Sequence, residues 1–228
     1  MLADILLDPF LQLYFVTILV SLLKYTKYFD SQLKYLPILL TYIFLTELLG
    51  LIIKLDPNKN PFITGFYSNY NYIIFYLYDF IFYGYFYYLF WFYTKNERLK
   101  KIIFIGSFLF ILISIINATF KSVVTERQLF SYTFGGLLLI ISAFLYILEN
   151  FKKVNFKKSL LFWMSVGLII FHIGYIPINI TYSQITRENI DLYYHLLPIH
   201  KIVVFAMYAC FIYGFIQKKE NTTNTNFI

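Results

Sequence analysis

Cysteine and charge are the two things this chain has least of. Cys210 is the only cysteine, which excludes an internal disulfide and a thiolate metal site. Asp, Glu, Lys and Arg together make up 14% of the 228 residues, against about a quarter in a soluble domain. Motifs that would announce a chemistry are also missing. There is no Walker loop, no GxGxxG, no HExxH and no GxSxG. No kinase, cyclase or other signalling module is attached, and no gap between apolar runs could hold one. The start lacks the basic region and small-residue cleavage site of a secretory leader and carries Asp4 and Asp8 instead. The first apolar run is therefore expected to be a retained anchor behind a short, acidic, translocated tail.

What fills the chain is apolar sequence, 60% of it, gathered in blocks. Crossing a bilayer as helix takes roughly 20 residues. Seven blocks come near that length: residues 6–23, 35–54, 71–93, 102–119, 129–149, 159–181 and 193–216. The two shortest sit at the lower limit, and the first has Asp8 and Pro9 at its mouth. The expected fold is all-α, a polytopic membrane protein whose seven transmembrane helices form one domain over residues 1–217. Residues 218–228 read as a polar, disordered tail. The longest connection contains Asp56-Pro57-Asn58-Lys59-Asn60-Pro61, a run of turn formers. Pro37 and Pro177 each fall in a helix, without a convincing internal repeat.

Basic residues alternate between the gaps. One set of gaps holds Lys24, Lys27 and Lys34; Lys95, Arg98, Lys100 and Lys101; Lys152, Lys153, Lys157 and Lys158; and, in the tail, Lys218 and Lys219. These are thirteen of the nineteen Lys and Arg residues. The other gaps hold only Lys54, Lys59, Lys121, Arg127 and Arg187, mixed with Asp56, Glu126, Glu188 and Asp191. Short loops rich in Lys and Arg stay cytoplasmic. The pattern predicts an N-terminus outside and a C-terminus in the cytoplasm. The net charge of +7 then calls for no nucleic acid, since it is a topology signal that also suits anionic lipid headgroups.

Aromatic side chains peak between Phe66 and Tyr93, where eighteen of twenty-eight residues are Phe, Tyr or Trp. An aromatic-lined ligand channel is one reading. Codon bias of an A- and T-rich genome, with interfacial Tyr and Trp belts, is the plainer one.

Ionisable residues inside spanning helices are functional candidates by default. Five stand out: Glu47, Asp79, His172, His200 and Lys201. At about 1.5 Å rise per residue, each lies roughly 10–14 Å below the outer end of its helix. Four helices thus place charge at one level in the outer half of the membrane. Lys201 could stay charged beside Glu47 or Asp79, and the histidines could bond the second carboxylate. Tyr175 and Asn179, with Asn117 and Tyr132, fall near the outer helix ends and would form a vestibule above. The alternative is interhelical glue, at about 0.6–2 kcal/mol per bond. Trp163 and Met164 near the inner end are explained by packing.

Three familiar seven-helix or polytopic designs fit poorly. Lys201 and Asp79 superficially supply the lysine and acid of a retinal protein, but Lys201 lies in the outer third. Lys34-Tyr35-Leu36-Pro37 faintly resembles the start of a lysoplasmalogenase-like hydrolase, whose Gly-Asp pairs are absent. A 3+1+3 sugar-transporter-like design has only Pro37 and Pro177 in its favour.

A broader resemblance rests on Leu45-Thr46-Glu47-Leu48-Leu49-Gly50 and on Asn71-Tyr-Ile-Ile-Phe-Tyr-Leu-Tyr-Asp79-Phe80. It continues through Phe130 to Glu149, Leu161-Phe162-Trp163-Met-Ser-Val-Gly167 and His200 to Gly214. Together these resemble a group of small seven-helix membrane proteins found in Bacteroidota. The resemblance covers nearly the whole chain through soft patterns in apolar helices. It implies a bacterial inner-membrane helical bundle and offers no established activity. Asp79 departs from the Glu expected there, and Lys201 is atypical.

The leading expectation is a receptor-like or sensory membrane protein. It would bind a small molecule or lipid through Glu47, Asp79, His172, His200, Lys201, Tyr175 and Asn179, and act through a signalling protein partner. No cofactor, metal site or catalytic residue is assigned. A membrane-embedded lipid-modifying enzyme is the first alternative, with Glu47 or Asp79 as base and a histidine as acid or metal ligand. A small-solute transporter is the second, although its site would lie nearer the midplane.

Overall fold

The structure is a computed structural model and describes residues 2–61, 68, 71–185 and 190–217. Arg187, Glu188, Lys218, Lys219 and the expected tail over 218–228 lie outside the described residues.

Helices account for the fold, and no strand occurs among the described residues. In chain order they are α1 (Leu2–Leu6), α2 (Pro9–Leu23), α3 (Leu36–Leu55), α4 (Tyr72–Tyr93), α5 (Glu97–Phe120), α6 (Leu129–Asn150), α7 (Leu160–Tyr182) and α8 (Ile190–Ile216). Six of them, α3 to α8, are long and apolar enough to cross a membrane. The helix α2 is apolar but has only 15 residues. Asp8 explains the break before it. Its carboxylate accepts from the Phe10 and Leu11 amides at 2.9 and 3.0 Å, an N-cap reinforced by Pro9 in the first turn.

The boundaries follow the apolar blocks to within a residue except at three starts. The first block breaks at Leu7 and Asp8 so that α2 begins at Pro9, and α8 begins at Ile190 instead of 193. The helix α5 begins at Glu97, five residues before the expected 102. Its first turn is charged, Glu97-Arg98-Leu99-Lys100-Lys101, so an apolar window leaves it out. The Asn96 side chain starts the helix there by accepting from the Arg98 and Leu99 amides. Glu149, at the end of α6, accepts from the Lys95 and Asn96 amides and ties the α4–α5 turn to its neighbour.

Packing runs α2–α3–α4–α6–α7–α8 and returns from α8 to α2, while α5 rests outside against α4 and α6. The connections fall at two ends. At the lysine end, Lys27 donates from Nζ to the carbonyls of Ile216 and Gln217, both at 2.9 Å. A cation on the last carbonyls of a helix satisfies acceptors that have no partner within it. Desolvation and the neighbouring Lys24 hold the Lys27 ammonium below the usual lysine range. The other end is marked by Arg127, between α5 and α6.

The core is aromatic and sorted by depth. Toward the lysine end, Leu40, Phe86, Leu168 and Phe211 are all buried, one from each of α3, α4, α7 and α8. Some buried hydroxyls bond back to their own helix, as Thr17 does to Leu13 and Ser165 to Leu161, while Ser114 and Ser131 bond to each other between α5 and α6.

Helices in lipid approach through small residues, and α7 shows the limit. A Cβ on Gly167 would lie 2.9 Å from the main-chain oxygen of Met207 on α8. Gly84 on α4, in contrast, has nothing within 4 Å of a built Cβ. Gly167→Ala should therefore lower stability by about 1–3 kcal/mol. Gly84→Ala should be neutral or stabilise by up to ~1 kcal/mol. Thermal unfolding of both variants in detergent checks the pair, and equal loss in both would contradict the close α7–α8 approach.

Candidate functional site

At the Arg127 end the helices separate around a cavity of about 370 Å³. From α2 come Phe10 and Tyr14, and from α3 comes Glu47 with Ile43 one turn deeper. On α4, Tyr72, Tyr76, Asp79 and Tyr83 repeat at helical spacing, so one stripe of that helix faces the space. Tyr132 enters from α6, and His172, Tyr175 and Asn179 enter from α7. His200, Met207 and Tyr208 complete the wall from α8.

Glu47, Asp79, His172, His200, Tyr175 and Asn179 thus line one cavity. Lys201 does not, and it is exposed. The geometry of a helix explains the correction. Successive residues are about 100° apart, so an inward His200 turns its neighbour out. Ion pairs among the described residues lie at helix ends, between Lys59 and Asp56, Lys100 and Glu97, and Lys121 and Glu126. None involves Glu47 or Asp79.

The cation that does face the cavity is Arg127, which the charge pattern had placed among the loop residues. Its Nη1 donates to Asn179 Oδ1 at 3.3 Å. Its guanidinium lies 5.9 Å from the centre of the Tyr72 ring and 5.8 Å from that of Tyr182, within cation–π range of both. Gln128 beside it is fixed by Asn117, whose Nδ2 donates to Gln128 Oε1 at 2.6 Å. Arg127 therefore stands at the mouth, held on two tyrosines and an asparagine. Its position two residues before Leu129, the first residue of α6, was the available signal.

The two histidines are held differently. His172 is buried, and its Nδ1–H donates to the Leu168 carbonyl at 2.9 Å. A carbonyl only accepts, so the proton on Nδ1 is assigned and Nε2 is the other, available nitrogen. The ring packs among Phe82, Tyr83, Tyr132 and Phe171, with centroids 5.0 to 6.4 Å away. His200 lies 4.6 Å from the Tyr175 ring and 5.8 Å from that of Phe10.

Among the described residues no hydrogen bond joins either imidazole to Glu47 or Asp79, and the two carboxylates have no hydrogen-bond or ion-pair partner. Nor do three or more His, Cys, Asp or Glu side chains gather there in a group that could hold a metal. The α4 tyrosines are anchored on main-chain oxygens, Tyr76 on Ser114 at 2.8 Å and Tyr83 on Tyr132 at 3.2 Å. These walls are fixed; the carboxylates are what the cavity leaves unsatisfied.

Comparison with family models, with curated proteins and with solved structures finds no match to this chain. The site is argued from its own geometry.

Lys201→Leu should leave the unfolding midpoint unchanged or raised, because the side chain is outside the packed interior. His172→Ala should lower stability by about 2–4 kcal/mol through the rings it leaves without a neighbour. Both are read by thermal unfolding in detergent, and a large loss for Lys201→Leu would return that residue to the interior.

Proposed function

We propose that this chain is a receptor-like, sensory protein of a bacterial inner membrane, and that it binds a small molecule or lipid in the cavity at the Arg127 end. In this reading α1 and α2 together make the seventh crossing. The N-terminus and the Arg127 end face outward, and the lysine end faces the cytoplasm. The clustering of Lys and Arg at one end supports that direction. The observation that carries the binding role is the cavity itself, with Glu47 and Asp79 facing it unpartnered. A polar residue serving only as glue between helices would have found a partner on the next helix.

Acid–base chemistry needs a proton donor and acceptor within hydrogen-bond reach, whereas Glu47, Asp79, His172 and His200 share a space without touching. The buried layer of Leu40, Phe86, Leu168 and Phe211 closes the floor, so a passage through the bundle would require helices to part. Binding that biases the packing of the wall helices needs neither chemistry nor passage. The output would go to a signalling partner at the lysine end.

Orientation is checked with single cysteines in a Cys210→Ser background. Thr125→Cys, between α5 and α6, should react with an impermeant maleimide in intact cells. Lys153→Cys should react only after lysis. The reverse pattern would invert the assignment.

The binding role is checked in the source organism by complementing a deletion strain. The double variant Glu47→Ala, Asp79→Ala should insert normally yet fail to restore the lost response. Full restoration would reduce the polar lining to packing.

A further inference from the structure

Resting on that ligand-binding reading, we infer that the cavity selects a positively charged organic ammonium group, seated between Glu47 and Asp79 against tyrosine faces. Charge complementarity is the first argument. The lining holds two carboxylates and one guanidinium, and the guanidinium is engaged at the mouth by Asn179, Tyr72 and Tyr182. Two carboxylates facing one cavity ionise together only against two positive charges, and the wall supplies one. A monocation restores the balance.

The chemistry of the wall is the second argument. Tyr78 and Tyr175 line the same cavity as both carboxylates, and so do Tyr14 and Tyr208, whose centroids are 4.8 Å apart. Ring faces carry partial negative charge and attract cations, and aromatic cages are a general solution for alkylated ammonium groups. The Tyr132 hydroxyl, also on the wall, is buried and without a hydrogen-bond partner among the described residues.

Size excludes the simplest cations. A hard cation such as Ca²⁺ or Mg²⁺ takes six or more oxygens at close range, while this space is about 370 Å³ and walled mainly by carbon. That volume lies in the range of small-molecule sites. The shared chemistry is the ammonium, which a soluble amine or the headgroup of a membrane lipid could both supply.

The test uses the purified full chain in nanodiscs of phosphatidylglycerol, with choline, its neutral isostere 3,3-dimethylbutan-1-ol, and 3,3-dimethylbutanoate as the anion. Readouts are the unfolding midpoint and titration calorimetry. Choline should raise the midpoint and bind about tenfold or more tightly than the isostere. Glu47→Gln and Asp79→Asn, both isosteric, should each weaken choline by about tenfold. Tyr78→Phe should retain binding and Tyr78→Leu should lose it, which separates the ring face from the hydroxyl.

Repeating the titration in phosphatidylethanolamine nanodiscs distinguishes the sources. A severalfold weaker choline affinity there assigns the site to the lipid headgroup, and an unchanged one assigns it to a soluble amine. The ammonium assignment is overturned if the isostere or the anion binds as well as choline, or if the two acid variants bind choline unchanged. In those cases a probe still binds and the ligand-binding reading stands. If none of the three probes shifts the wild-type midpoint in either lipid, that reading falls too.

Discussion

Glycine at the α7–α8 contact is the constraint from which the rest of the architecture follows. With Gly167 against the Met207 main chain, α7 and α8 lie as close as two helices can, and Gly136 admits His172 and Ile176 from α7 against α6 in the same way. One side of the bundle is thereby drawn tight by small residues, the usual means of association where lipid offers no hydrophobic drive. The opposite side is faced with Phe and Tyr from α2 and α4, and rings of that size hold helices apart. Tight packing on one flank and bulky packing on the other leave a space between them, and polar residues of six helices, α2, α3, α4, α6, α7 and α8, look into it. The cavity is a result of unequal side-chain size across the bundle.

The aromatic richness of α4 has two uses, separated by depth. Phe86, Tyr87 and Phe90 fill the core toward the lysine end. Tyr72, Phe75, Tyr76, Tyr78 and Tyr83 line the cavity. A ring can do either job because it offers apolar area and, on its face, a weak attraction for positive charge. Composition alone could not divide the two, since the same residue types occur on both sides of Asp79.

Much of the architecture was legible in the chain before any coordinates. Helix ends fell within a residue of the apolar blocks, apart from the break at Leu7 and Asp8 in the first block, the charged first turn of α5 and the earlier start of α8. The reason is physical, because apolar length is what a spanning helix must have. The common depth of Glu47, Asp79, His172 and His200 followed from counting rise along helices of alternating direction. What counting could not give was azimuth. Rise sets depth, while the side a residue faces depends on how each helix is rotated in the bundle, and that is decided by packing. Lys201 shared the right depth and faced the wrong way. Arg127 had the right direction but was hidden among loop charges, because a side chain that folds back over the mouth leaves no trace in periodicity.

The bond from Lys27 to the end of α8 bears on how the protein is made. It spans 189 residues of sequence, and the ring contact between Tyr14 and Tyr208 spans nearly the same interval. The helix α2 leaves the ribosome early and must wait for α8 before its inner face is covered. Pairings between distant segments form late, since the loop between them has to be closed first. During synthesis the growing bundle therefore has an open side, with Phe10 and Tyr14 turned toward whatever occupies the membrane there. Only after the arrival of α8 does that side become a wall, so the cavity comes into being as the final event of assembly.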